Sequence, residues 1–251
     1  MKNFLLFLFT AFAFVIFSQS VMKESDISMK NFLLGKYDPA KHPDFIKIDL
    51  RFTVKTNIYM HKEAYEAFLQ MQDSARKDGI HLIIVSATRT FDHQKKIWES
   101  KWTGQTFVNG KNLAMSSSDP VERAKYILQY SSMPGTSRHH WGTDIDLNSV
   151  DPAYFATPTG KNVYEWLRKH AAYFGFCQPY GEWGTDRSTG YEPEPWHWSY
   201  MPLAARFLDA YSREITYEDI TGFAGSETAA SLEVIENYVF GISKKCKEWK
   251  E

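Results

Sequence analysis

The sequence predicts an α+β fold in which a small, largely antiparallel sheet is flanked by helices. Three observations predict it. Short alternating or apolar segments recur between stretches of helical periodicity. Strands and helices do not alternate at the spacing of βαβ units, which argues against a parallel sheet. No internal repeat or Pro/Gly/Ser-rich linker divides residues 40 to 220, so one domain is expected.

The elements follow in chain order. Phe45 to Phe52 alternates at the period of a half-buried strand. Ala64, Tyr65, Phe68, Leu69, Met71 and Ala75 recur at helical spacing, and Gly79 stands where a left-handed C-cap ends such a segment. His81 to Val85 reads as a buried strand. Asp92 opens a short helix carrying Gln94, Ile97 and Trp98, and residues 119–131 form another with Pro120 near its start. Met133 to Trp141 is loop, Asp144 to Leu147 alternates as a strand, and Val163 to Phe174 has helical periodicity. Trp196 to Tyr200 is rich enough in aromatic residues for one more strand. Helices near residues 202–212 and 227–240 complete the chain; in the second, Leu232, Ile235, Tyr238, Val239 and Ile242 have amphipathic spacing.

The 251 residues are 43% hydrophobic, 16% aromatic and 24% charged, a composition that supports an ordinary apolar core. A net charge of -1 with dispersed Lys and Arg offers no footprint for a nucleic-acid backbone, so no nucleic-acid partner is expected. At the N-terminus Lys2 precedes the apolar run Phe4 to Phe17, followed by Ser18-Gln19-Ser20 with small residues spaced as a signal peptidase prefers. That run is shorter than the roughly 20 residues a membrane span needs. Residues 1–20 are therefore expected to be a signal peptide, with an uncleaved anchor as the alternative and no stable membrane partner after cleavage. Residues 21–251 are then one exported domain, periplasmic or extracellular, whose part from about 203 is a helical extension. Cys177 and Cys246 lack metal-ligand spacing; in an oxidising compartment they either bridge the C-terminal tail to the body or stay buried as free thiols.

Chemistry concentrates in three segments. In Ser137-Arg138-His139-His140-Trp141-Gly142-Thr143-Asp144-Ile145-Asp146, imidazoles and carboxylates share one loop-to-strand passage, which suits zinc with its nitrogen and oxygen donors. His139 supplies one ligand and a carboxylate another. Strand period puts Asp144 and Asp146 on the same face, so periodicity does not choose between them. The alternative is a polar loop whose histidines bond backbone. Glu192-Pro193-Glu194-Pro195-Trp196-His197-Trp198 gathers two carboxylates, a histidine and two indoles. His197 can complete a His, Asp, His zinc site, and Glu194 can take a proton from water and pass it to a leaving amine. In a regular strand Glu194 and His197 face opposite sides, so Pro195 is expected to break the regularity; core tryptophans and a solvated Glu194 are the alternative. Ser86 to Gln94 follows the strand ending at Val85. There Arg89 offers donors for a carboxylate or an oxyanion, unless it makes only a surface salt bridge, and Gln94 can hold a peptide terminus.

Together these segments resemble the D-alanyl-D-alanine carboxypeptidase family of zinc peptidases, which includes the vancomycin-resistance D,D-carboxypeptidases and D,D-dipeptidases and shares the LAS, or hedgehog-like, fold. The family's Ser-x-His-x-x-Gly-x-Ala-x-Asp pattern falls on Ser137, His139, Gly142 and Asp146, with Asp144 where alanine is usual. Its Glu-Pro-Trp-His falls on Glu194 to His197, and its Ser-x-x-Arg-Ser-x-x-x-Gln on Ser86, Arg89 and Gln94, with Thr90 for the second serine. The resemblance covers roughly residues 45–202. It implies Zn2+ held by His139, Asp146 and His197, with Glu194 as catalytic base and Arg89 stabilising the oxyanion. Ser137, Gln94 and Trp141 are the expected substrate contacts. The implied reaction is D,D-carboxypeptidase cleavage of the terminal D-Ala-D-Ala bond in peptidoglycan stem peptides. An endopeptidase, an L,D-carboxypeptidase and a non-catalytic zinc-containing binding module are the alternatives.

Overall fold

The structure, a computed structural model, describes residues 27–249; the expected signal peptide lies outside the described residues. Helix α1 (Met29–Leu33) starts at Ser28, whose Oγ accepts from the Asn31 N–H at 3.3 Å, and it buries Phe32 and Leu33. Strand β1 (Phe45–Lys47) pairs antiparallel with β2 (Tyr59–His61). The strand expected to run to Phe52 stops at Lys47. Asp49 bends the chain instead, its Oδ1 accepting from the Arg51 N–H at 2.8 Å, a local bond that competes with a ladder. Phe52 then accepts from the Ile84 N–H.

Helix α2 (Lys62–Lys77) buries Ala64, Tyr65, Phe68, Met71 and Ala75, one stripe at a spacing of three and four. Burial of a side chain such as Phe68 contributes about 1.5–3 kcal/mol. Strand β3 (Ile84–Ser86) begins three residues later than the apolar run suggests. Helix α3 (Phe91–Trp102) is capped by Thr90 Oγ1 accepting from the His93 N–H at 3.2 Å, a task that a threonine performs as a serine would. Two shorter helices follow, α4 (Leu113–Ser116) and α5 (Pro120–Leu128), the second capped by Asp119 with Pro120 at its first position. Strand β4 (Asp144–Leu147), helices α6 (Pro152–Ala156) and α7 (Pro158–His170), strands β5 (Phe176–Cys177) and β6 (His197–Tyr200), and helix α8 (Met201–Glu214) come next.

The main sheet has the order β3-β4-β6-β5, antiparallel throughout. Its one face carries Ile145, Leu147, Trp198 and Phe176, packed with α2 and α7 into one apolar cluster. A second cluster joins α1, α3, α5 and α8 with the C-terminal residues, so the segment after 203 supplies part of the core rather than an appendage. The amphipathic helix expected over 227–240 is not continuous. A 3-10 turn at Ser226–Thr228 is separated from a π-helical turn at Ile235–Val239 by Glu233, whose φ of 48° lies outside the right-handed helical region. The apolar spacing is real, since Val234, Ile235, Val239 and Ile242 are all buried. Among the described residues no helix is long and apolar enough to cross a membrane.

Helix α9 (Lys244–Lys247) carries Cys246, which forms a disulfide with Cys177 at the edge of the sheet. The two cysteines are 69 residues apart, so the bridge closes a long loop in the unfolded chain. Replacing both with serine is expected to lower the unfolding free energy by about 4 kcal/mol, read from urea denaturation. An unchanged midpoint would show that the bridge does not restrain the unfolded state.

Candidate metal centre

Register decides which side chains meet. Asp146 of β4 lies opposite His197 of β6, and Asp144 lies opposite Ser199, all four on the sheet face away from α2 and α7. His139 enters from a 3-10 turn, Arg138–Trp141, just before β4. That turn ends at Gly142 with φ 71°, where a Cβ would lie 2.3 Å from the Phe45 ring, so the position requires glycine. Strand β6 starts only at His197, and the preceding residues form a turn in which the His197 N–H donates to the Glu194 carbonyl at 3.2 Å. Glu194 and His197 consequently face one cavity, with Oε2 2.9 Å from Nδ1.

His139, Asp146 and His197 each present one atom, all mutually within 4.8 Å, and all three residues are buried. His139 Nε2 is 3.3 Å from Asp146 Oδ1, and His197 Nδ1 is 3.7 Å from the same oxygen. The His139 Nε2 and Asp146 Oδ1 atoms are buried and lack any hydrogen-bond partner. Orphaned buried polar atoms are costly, and two of them aimed at one point fit a cation. Two imidazoles and a carboxylate form a donor set that zinc accepts, with a fourth position left for a reacting ligand.

The tautomers are fixed from behind. His139 Nδ1–H donates to the Ala87 carbonyl at 2.8 Å, which turns the Nε2 lone pair toward the site. His197 Nε2–H donates to Asp144 Oδ2 at 2.8 Å, leaving Nδ1 for the cation. Asp144 stands where the motif has alanine, and it is wholly buried. It also accepts from Arg138 Nε at 3.1 Å, Thr143 Oγ1 at 2.8 Å and Ser199 Oγ at 2.7 Å. His140 faces away, its Nδ1–H donating to the Arg89 carbonyl at 2.6 Å and its Nε2 accepting from the Gly135 N–H at 3.0 Å. It has a structural task, holding the Arg89 segment in place.

Charge states follow from burial and these partners. Burial, aided by Arg89, lowers the His139 pKa to about 4, and burial lowers that of His140 to about 3, so both are neutral. Burial would lower His197 as well, but its hydrogen bonds to Asp144 and Glu194 outweigh that and raise it to about 9. For Asp146, burial is overcome by His139, His197 and Arg89, which hold the carboxyl well below its usual range. Glu194 moves the other way: burial raises its pKa against the pull of His197.

A cavity of about 590 Å³ opens on this centre, lined by Arg89, Lys101, Ser131, Asp146, Glu194 and Trp196 among others. Arg89 Nη2 is 3.9 Å from Asp146 Oδ2, and its buried Nε has no partner. Of the three expected substrate contacts, none lines the cavity. Trp141 is a correction: only 1% exposed, it packs on Tyr211 and Phe207 and donates Nε1–H to the Leu33 carbonyl, which makes it core. Gln94 is fully buried, its Nε2 donating to the Ser132 carbonyl at 2.8 Å. Ser137 is buried with its hydroxyl unpartnered. Sequence reading missed Arg138, Ser199 and Lys101. Lys101 alone left a signal, since positions 91, 94, 98 and 101 continue one helical stripe.

Comparison with known proteins gives a consistent result. A family profile described as VanY, D-alanyl-D-alanine carboxypeptidase, matches residues 57–203. The chain is similar to YodJ of Bacillus subtilis (strain 168), whose carboxypeptidase designation is provisional, at 31% identity over 178 residues, 67% of this chain and 56% of that protein. It is 32% identical over 133 residues to a D-alanyl-D-alanine carboxypeptidase of Enterococcus faecalis (strain ATCC 700802 / V583), 53% of this chain and 45% of the relative. The chain thus spans about half the length of the curated relatives it matches. Among solved structures, the LdcB LD-carboxypeptidase superposes with a TM-score of 0.51 at 23% identity, covering 86% of this chain and 88% of that one, a likeness of fold.

Two outcomes follow from the centre itself. A metal must displace the proton that His197 retains up to about pH 9, so zinc affinity should rise about tenfold per pH unit below that value. Competition titrations with a chromophoric chelator measure it, and an affinity independent of pH would remove His197 Nδ1 from the donor set. Asp144→Ala frees the His197 ring, and the same titration should show zinc affinity lowered about 10- to 100-fold.

Proposed function

The chain belongs to the VanY family of D-alanyl-D-alanine carboxypeptidases, and from that membership we propose that it is a zinc-dependent D,D-carboxypeptidase of peptidoglycan stem peptides. The observation that carries the reading is the convergence of His139 Nε2, Asp146 Oδ1 and His197 Nδ1 on one buried point beside the Glu194 carboxylate. A binding module needs the three donors but not the fourth group. Zinc bound by these donors would supply Lewis acidity toward a peptide carbonyl oxygen.

The chain's own residues supply the rest. Glu194 Oε2, held 2.9 Å from His197 Nδ1, is placed to accept the proton of the attacking water and to return it to the leaving amine. Its raised pKa favours both halves of that task, because a stronger base accepts more readily and its acid persists nearer neutrality. Arg89 projects a cation into the cavity with an unpartnered Nε, suited to the oxyanion that develops on the carbonyl. Buried His139 and Asp146 keep water from competing for the donor atoms.

We place the protein outside the cytoplasm, where this substrate lies. The Cys177–Cys246 disulfide supports export, since such bridges persist in oxidising compartments.

Incubation of the protein with a muramyl pentapeptide ending in D-Ala-D-Ala, with zinc and then with a chelator, tests the reading by mass of the products. Chelator-sensitive loss of one alanine is expected; cleavage further inside would point to an endopeptidase, and intact peptide with zinc bound would overturn the enzyme reading. Glu194→Gln should retain zinc yet lose about 10²- to 10⁴-fold in turnover. His139→Ala should lose both.

A further inference from the structure

Two lysines of the cavity are not used by the chemistry above: Lys55, which is exposed, and Lys101, which is half-buried. Lys101 sits in the last turn of α3, on the stripe that carries Gln94 and Trp98, and it lines the cavity with Arg89, Asp146 and Glu194. The side chain is half-buried, and its ammonium donates to Ser131 Oγ. No carboxylate among the described residues forms an ion pair with it. Burial lowers its pKa, Arg89 lowers it further and Glu194 raises it, so its charge is felt at the centre.

A half-buried ammonium has three donors, and Ser131 takes one. Holding a cation in such a place without a counter-ion is unfavourable, and a neutral side chain of similar length would fill the same volume at less cost. An anion arriving from the cavity would remove that cost. The cavity is where the peptide must lie, and a peptide cut one residue from its end carries a carboxylate about 3.5 Å of extended chain beyond the scissile carbonyl. Arg89, 3.9 Å from Asp146, is already engaged by the proposed role at the reacting carbonyl. Gln94 is sealed behind the wall, where its amide fixes the Ser132 carbonyl and with it the neighbouring Ser131.

We propose that Lys101, flanked by Ser131, is the subsite for the terminal carboxylate of the residue that is released. The proposal rests on the peptidase reading and deepens it. An alkyl carboxylate at this point is matched by charge and by two free N–H donors, whereas a chain that continues past the scissile bond would put a neutral amide there. Lys101 therefore selects an exopeptidase outcome over an endopeptidase one. Gln94 is a positioning residue for the same subsite.

The test compares three peptides: the pentapeptide with a free C-terminus, its C-terminal amide, and a free acid whose stem side-chain carboxylate is amidated. Wild type should prefer the free acid over the C-terminal amide by roughly ten- to a hundredfold in kcat/KM. Lys101→Met should lose most of that preference, mainly through KM, with zinc content and thermal unfolding as for wild type; Lys101→Arg should keep a large part of it. A Lys101→Met enzyme that retains the full preference would overturn the proposal, as would one whose loss follows the side-chain amidation instead of the terminus. Should wild type cleave none of the peptides, the peptidase reading fails by itself. Calorimetric binding of D-alanyl-D-alanine and of its amide then decides the subsite, and equal affinities for wild type and Lys101→Arg against Lys101→Met would remove it.

Discussion

The carboxylate of Asp144 is the point on which the centre is built. It lies fully buried and receives four donors, from Arg138, Thr143, Ser199 and His197, drawn from the 3-10 turn, the link between that turn and β4, and strand β6. A buried charge is tolerated when its lone pairs are all satisfied, and here they are. Three consequences follow from that saturation. Arg138 is held beneath the turn that carries His139, and strands β4 and β6 are tied by a side-chain bond besides their ladder. The His197 ring is fixed in one tautomer, with Tyr180 set edge-on against it at 4.9 Å. A donor set needs orientation before it can select a metal, and for His197 that orientation comes from an anion that is not itself one of the three donors.

Much of this was legible in the chain. Period-two alternation identified β4 and placed Asp144 and Asp146 on one face, but only register separates their roles, because Asp146 falls opposite His197 and Asp144 opposite Ser199. Register is a property of two strands and cannot be read from either. The turn at Pro195 was readable from the conflict between strand geometry and the need for Glu194 and His197 to share a cavity. Trp141 misled because adjacency in sequence to a candidate donor says nothing about direction: the 3-10 turn sends His139 toward Asp146 and His197 and Trp141 into the core. The helix expected over 227–240 failed for a local reason, since amphipathic spacing reports burial and not whether one residue, Glu233, leaves the helical region.

Neighbouring histidines in this protein show how environment assigns role. His139 and His140 are adjacent, equally buried and both neutral, and each donates its Nδ1–H to a backbone carbonyl of the Ala87–Arg89 segment. The difference lies at the other nitrogen. That of His140 accepts from the Gly135 amide, and that of His139, buried beside Asp146, has no hydrogen-bond partner. The pair also acts on the cavity wall, since together with the Arg89 N–H donating to the His139 carbonyl they fasten the loop from which Arg89 projects.

The indole of Trp141 reaches the Leu33 carbonyl, and the Tyr211 hydroxyl donates to the Gly135 carbonyl. Neither Leu33 nor Tyr211 lies within residues 57–203, the stretch that matches the family. The limits of resemblance are thus not the limits of what folds together. An excised segment with those bounds would expose a tryptophan, a glycine turn shaped around Phe45 and half of an apolar cluster to water, so the flanks must be carried along in any transplant or chimera of this donor cluster.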